Sequence, residues 1–146
     1  MTPRIKHIDF ESLKSYWIQV DHFRDPSKRI LDVISTLGPY KTIYKDPKRQ
    51  SYGLFDNDRI IGVTQLVEWE PHLIRYRTVN ILPEYRGNDF GWFLLEGAWK
   101  MDWPHCDTMM GWVRNTHYDW SIKHGFKEEG DWYDGHIRME RVASWM

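Results

Sequence analysis

Ile81-Leu82-Pro83-Glu84-Tyr85-Arg86-Gly87-Asn88-Asp89-Phe90-Gly91-Trp92-Phe93-Leu94-Leu95 is the stretch on which the reading of this chain turns. It continues a run from Leu73 to Leu82 that is rich in β-branched and aromatic residues and reads as a strand. Pro83 to Gly91 has the composition of a loop, and beyond it Phe90, Phe93, Leu94, Gly97, Ala98 and Met101 fall on one helical face. A strand that passes through a glycine-bearing loop into a helix makes a site for an anion. The first amides of the helix point outward without partners, the macrodipole favours negative charge, and glycine lets a ligand approach the backbone. On these grounds alone, the segment is a possible anion site.

Working outward, Arg4 to Ile8 reads as a short strand, and Asp9 as a cap for a helix with Phe10, Leu13, Trp17 and Val20 on one face. Asp25-Pro26 starts a second helix through Ile30, Val33, Ile34 and Leu37, which Gly38-Pro39 stops. Tyr52 to Phe55 and Arg59 to Glu68 read as strands joined by the turn Asp56-Asn57-Asp58. Thr108 to Val113 is a further strand, His117 to His124 a short helix, and Phe126 to Trp132 and His136 to Val142 a closing pair of strands. Two helices, a meander and then strand–loop–helix–strand make an α/β layer with a mixed sheet. With no repeat and no Gly/Ser/Pro-rich linker in sight, residues 1–146 read as one domain.

Composition narrows the function. Apolar residues make up 41% of the chain and aromatics 16%, including nine tryptophans, which excludes a disordered chain. Twenty Lys and Arg against 21 Asp and Glu leave a net charge of −1, with no excess to attract nucleic acid or an anionic membrane. The one cysteine, Cys106, has no internal partner, as expected in a reducing compartment. The N-terminus opens no apolar run of signal-peptide type, and no stretch approaches the roughly 20 apolar residues of a membrane helix. A soluble cytoplasmic protein is the expectation.

The segment from Ile81 to Leu95 resembles the coenzyme A signature of the GNAT acetyltransferases, which runs hydrophobic–x–Pro–acid–Tyr–Arg/Gln–x–x–Gly–x–Gly/Ala before an amphipathic helix. Pro83-Glu84-Tyr85 is the usual lead-in, Arg86 and Gly91 are the first and last fixed positions, and Gly87 is a common variant. Val113-Arg114-Asn115, Trp120, Lys123 and Gly125-Phe126-Lys127 are similar to the family's later strand–Asn–helix–Lys-x-Gly-Phe element. Asp58 to Val63 looks like its hairpin ending in hydrophobic-Gly.

The resemblance implies a mixed, mostly antiparallel α/β (α+β) sheet flanked by helices, whose two parallel central strands splay apart at a bulge. Here these are Leu73 to Ile81 and Thr108 to Val113. It implies acetyl-CoA as co-substrate, with pantetheine on the backbone near Val79 and Ile81 and pyrophosphate on the amides of Arg86, Gly87, Asn88, Asp89, Phe90, Gly91 and Trp92. Asn115 and the helix after it line the other wall. The partners implied are acyl-CoA and a small-molecule or peptide amine, with no metal. The reaction is direct transfer in a ternary complex.

The chain departs from the pattern in places. The family's middle glycine falls on Asp89, whose carboxylate either repels a phosphate or caps the helix itself. Acyl transfer to an amine needs a neutral amine and a protonated leaving thiolate. Where family members often carry an acidic Tyr on the late helix this chain has Ser121, with Tyr118 one turn earlier, and where many have a Glu on the strand before the signature it has Arg75. Glu68 and Glu70, placed on one face by alternation, are the carboxylates left as relayed bases. His105-Cys106-Asp107, His117, His124 and His136 are metal-ligand types without a ligand spacing. Trp17, Phe23, Trp69, Trp132 and Tyr133 are candidates for the acceptor end of the cleft. The rival reading is a GNAT-shaped acyl-CoA-binding or regulatory module that has lost turnover.

Overall fold

The computed structural model describes residues 2–24 and 49–145, so the helix expected from Asp25-Pro26 to Leu37 lies outside the described residues. The described elements are β1 (Arg4–His7), α1 (Phe10–Arg24), β2 (Arg49–Asp56), β3 (Arg59–Glu70), β4 (Leu73–Ile81), a 3-10 turn (Pro83–Tyr85), α2 (Phe90–Asp102), β5 (Thr108–Arg114), α3 (Asn115–Lys123), β6 (Lys127–Glu128) and β7 (His136–Val142). Asp9 caps α1 as expected: its carboxylate accepts the Ser12 amide at 2.8 Å, and that bond holds its pKa below the usual range. The face of α1 that carries Leu13, Tyr16, Trp17 and Val20 is buried against the sheet.

The strands form one sheet in the order β1-β2-β3-β4-β5-β7-β6, antiparallel except for β4 and β5. β3 pairs with β4 along nearly its whole length, but β4 pairs with β5 only over Leu73, Ile74 and Arg75, opposite Thr108, Met109 and Met110. The cause is local. On β3 the register passes from Gln65 opposite Thr78 to Leu66 opposite Tyr76, which leaves Arg77 as an extra residue on β4. A bulge of this kind bends its strand and sharpens the twist. Past Arg77, β4 follows β3 and β5 follows β7, and the two central strands part.

Two elements differ from expectation. In α2 the buried residues are Leu94, Leu95, Ala98 and Trp99, whereas Phe93 and Met101 are 45% exposed. The stripe is turned because Leu95 and Trp99 offer an adjacent i, i+4 pair, and the Trp99 indole donates to the Cys106 carbonyl at 3.0 Å. The strand expected from Phe126 to Trp132 shrinks to Lys127–Glu128. Gly130, at φ 115°, turns the chain out of extended geometry, and Phe126 belongs to the core instead. No described helix is long and apolar enough to cross a membrane.

Candidate active site

The gap between the parted strands opens into a cleft of about 700 Å³. One wall is Val79, Asn80 and Ile81 of β4, followed by the loop residues Tyr85, Arg86, Gly87 and Asp89 and the first turn of α2, Phe90 and Gly91. The other wall comes from α3: Thr116, His117, Trp120 and Lys123. Of the binding residues expected from sequence, Val79, Ile81, Arg86, Gly87, Asp89, Phe90 and Gly91 line this cleft. Asn88, Trp92 and Asn115 flank it without lining it, and Thr116 and His117 stand where Asn115 was expected.

The loop holds its shape through its own bonds. The Leu82 amide donates to the Ile61 carbonyl at 2.8 Å, anchoring the end of β4 to β3. Arg86 folds back so that Nε donates to the Ile81 carbonyl at 2.8 Å, and Asn88 donates its side-chain amide to the Tyr85 carbonyl at 3.1 Å. Tyr85 donates its hydroxyl to Asp56 at 2.8 Å, and Glu84 pairs with Arg59 at 2.8 Å. Gly87 takes φ 87°, which a side chain would resist. The first α2 bond runs from the Phe93 amide to the Asp89 carbonyl at 3.0 Å. The amides of Phe90, Gly91 and Trp92 therefore stand ahead of the helical ladder, where an anion can take them. α3 comes close to this helix start: a Cβ on Gly91 would lie 3.3 Å from the Trp120 indole.

Asp89 does not cap α2 through its side chain, one of the two roles expected of it. It occupies the left-handed region, φ 57° and ψ 22°, and makes no side-chain cap to α2. Its carboxylate instead meets Lys123 Nζ at 3.2 Å, with His124 Nε2 at 3.7 Å. Behind it runs a ladder of rings. His117 stacks on Trp120 at 4.5 Å, Trp120 meets His124 at 4.7 Å, His124 stacks on Trp92 at 5.7 Å, and Arg141 lies over Trp92 at 4.2 Å. Burial, then His124, lowers the His117 pKa, and burial likewise lowers that of His124. His117 is thus a neutral imidazole at pH 7, and its buried Nε2 has no hydrogen-bond partner among the described residues.

The catalytic candidates scatter. Tyr118 donates its hydroxyl to Glu128 at 2.8 Å, tilts against Trp132 at 5.8 Å, and is not among the cleft walls. Ser121 is fully buried and donates to the His117 carbonyl at 3.1 Å. Glu68 is opposite Ile74 and half-buried, while Glu70 is opposite Leu73 and exposed. A register shift between them leaves Trp69 as the extra residue, so the simple alternation that put both on one face does not hold. Glu68 also comes within 4.8 Å of ligand atoms on His105 and Cys106. The Cys106 thiol is pushed up to about 11 by its burial, with Glu68 and Asp107 adding to the effect. The helix after Asn115 was expected as the other wall, but sequence reading did not single out Thr116, His117, Trp120 and Lys123 within it as the residues that face the cleft.

A seven-stranded sheet whose parallel central pair splays at a bulge beside a strand–loop–helix junction is the GNAT N-acetyltransferase fold, and this chain has it. No protein-family model matches the chain, and neither does any curated protein. Among solved structures it is similar to the PaiA N-acetyltransferase of Thermoplasma acidophilum in complex with coenzyme A, with TM-score 0.73 and 20% identity over 97% of this chain and 99% of that one. It is also similar to an acetyltransferase of Thermus thermophilus, with TM-score 0.77 and 14% identity over 97% of both chains. A spermidine N-acetyltransferase SpeG chimera of Vibrio cholerae and hSSAT gives TM-score 0.73 and 15% identity over 99% of this chain and 98% of that chain.

Proposed function

We propose that this protein is an N-acyltransferase that moves an acetyl group from acetyl-CoA to an amine in one ternary complex. The observation that carries this reading is the splay. Past Arg77, from Thr78 to Ile81, no described strand pairs with β4 on its β5 side, and this stretch leads directly to the helix start whose amides suit a pyrophosphate. An extended arm with hydrogen-bonding amides, tipped by a diphosphate, matches both parts. The PaiA structure of the same fold holds coenzyme A, which supports the reading.

The neutral amine nitrogen attacks the thioester carbonyl carbon. A C–N bond forms, the C–S bond breaks, and its electron pair leaves on sulfur. Holding both reactants in one cleft supplies much of the rate, and β4 amides aimed at the carbonyl oxygen supply electrostatic stabilisation. Glu68, half-buried on β3 opposite Ile74, one residue before the last β4–β5 pair at Arg75, is in this reading the carboxylate that takes the amine proton through water.

The test has two parts. Acetyl-CoA or CoA at a hundred times its dissociation constant should stabilise the fold by about 2.7 kcal/mol, visible as a raised melting temperature. A panel of polyamines, aminoglycosides and peptides with acetyl-CoA should release free thiol with at least one acceptor. Unmoved melting curves would sink the reading. Binding without thiol release across the panel would favour an acyl-CoA-binding module.

A further inference from the structure

The two hydroxyls that the sequence offered as candidates for the leaving thiolate are engaged elsewhere: Tyr118 with Glu128 and Ser121 with the His117 carbonyl. A third lies where the strands part. Arg75 is the last β4 residue paired to β5 and Arg77 is the bulge, so Tyr76 stands at the vertex of the splay. Its phenol crosses from β4 to β5 and lies over Gly111. A Cβ built on Gly111 would fall 2.5 Å from the Tyr76 Cζ and 2.7 Å from its hydroxyl oxygen. Only glycine at this position lets the ring cross. Phe126 closes the far side edge-on, with centroids 5.9 Å apart.

The hydroxyl so placed is buried and meets no hydrogen-bond partner among the described residues, for the Ser121 hydroxyl beside it donates to the His117 carbonyl instead. Buried polar groups are nearly always bonded, so an orphan where β4 and β5 part calls for an explanation. Burial pushes the phenol up to about 12, with the Ser121 hydroxyl beside it easing the shift. Tyr76 therefore stays protonated, and a donor, at any neutral or mildly basic pH. Its distance along the strand also fits. Five residues separate it from Ile81, which at about 3.3 Å each is roughly 16 Å. That is about the reach of an extended pantetheine arm from diphosphate to sulfur.

We propose, on the acyltransferase reading above, that the Tyr76 hydroxyl is the hydrogen-bond donor to the sulfur of the leaving coenzyme A. It takes from β4 the place that Ser121 on α3 leaves open, and Gly111 makes room for it. As the C–S bond breaks, the electron pair settles on sulfur and Tyr76 O–H donates to the thiolate while keeping its own proton. The thiolate is protonated by water on release, and the proton of the acylated nitrogen leaves to water. Tyr76 is only 7% exposed and stands behind the residues that line the cleft, so only the end of a narrow chain passing between the parted strands can meet it.

The experiment compares wild type with Tyr76→Phe, which removes one oxygen and keeps the ring. With any acceptor found in the panel, kcat should fall by about 10²–10³-fold, as for loss of one preorganised donor, with the KM for acetyl-CoA unchanged. A second measurement needs neither an acceptor nor the variant. At a pH near 9, where much of the thiol is ionised, wild type should bind CoA roughly tenfold more tightly than desulfo-CoA. In Tyr76→Phe the two ligands should bind alike. Equal binding of the two by wild type overturns the proposal, even if the variant does not fold, and so does a variant with wild-type turnover. Failure of wild type to bind CoA or desulfo-CoA at all would instead sink the acyltransferase reading and this assignment with it.

Discussion

Lys123 Nζ lies 3.2 Å from Asp89 Oδ1, so the C-terminal end of α3 is tied by charge to the residue that opens α2 on the facing wall of the cleft. Both side chains are 65% exposed, and an ion pair in that setting adds little to stability. Its consequence lies in the field at the phosphate site. Read from sequence, Asp89 is a lone carboxylate among amides meant for an anion. In the structure it brings its counterion with it, and the cleft keeps Arg86 as a further cation in its wall.

Lys123→Ala should therefore weaken CoA binding, because Asp89 then faces the pyrophosphate uncompensated. At water-like permittivity and about 4 Å, one unit charge is worth about 1 kcal/mol, or roughly fivefold in affinity. Asp89→Gly should tighten binding by a similar factor, since Lys123 is released toward the phosphates. The double variant should return near wild type. Titration calorimetry at two salt concentrations checks all three, with the single-variant shifts shrinking as salt rises. If both single variants move affinity in the same direction, the charge argument is wrong.

Asp89 also carries a conformational cost that glycine would not. A left-handed φ of 57° is tolerated by Asp and Asn and resisted by residues whose side chain cannot bond locally. Asp89→Ala should lower the unfolding free energy by about 1–2 kcal/mol, whereas Asp89→Gly should leave it unchanged or slightly raised. Denaturant melts of the two variants side by side decide this, because both remove the same carboxylate and only one retains a Cβ.

The outline of the fold was legible because its signals are local. The run from Leu73, the loop from Pro83 and the helix from Phe90 each announce themselves in residue type, and the structure places them within a residue or two. The Lys123–Asp89 pair was not legible, since it joins positions 34 apart whose proximity depends on how α3 packs on α2. The rotation of α2 was missed because periodicity finds a stripe but not its centre when Phe93, Leu94, Leu95 and Trp99 are all apolar. Tyr76 was hidden for a related reason. Its part depends on a one-residue bulge at Arg77 and on a glycine 35 residues later in the chain, and neither is a pattern within a window.

Tyr118→Phe should leave turnover with any accepted amine within about twofold of wild type. The hydroxyl it removes is bonded to Glu128 at 2.8 Å and lies outside the cleft walls. General acid catalysis is worth about 10²–10⁴-fold, so the outcomes are well separated. Steady-state rates at saturating acetyl-CoA suffice. A loss of a hundredfold would return Tyr118 to the reaction and displace Tyr76 from it.

The two cleft histidines set the last expectation. Burial lowers the pKa of His117 and of His124 below the ordinary 6.5, with the pull of Asp89 on His124 only partly opposing it. Between the folded values and 6.5, the unfolded chain holds more protons than the folded one, so the unfolding free energy rises with pH across that window. The stability these groups contribute is complete a little above 6.5 and is lost as the pH falls through it. Asp9 and Glu84 have lowered carboxylate values, so their contribution is lost only at more acidic pH, below the histidine window. The melting temperature should therefore step down as the pH falls through and below 6.5, ahead of any carboxylate-driven loss. Replacing both histidines with Gln should flatten that step and leave the acidic limb in place. A double variant that keeps the full step would show that the step does not arise from His117 and His124.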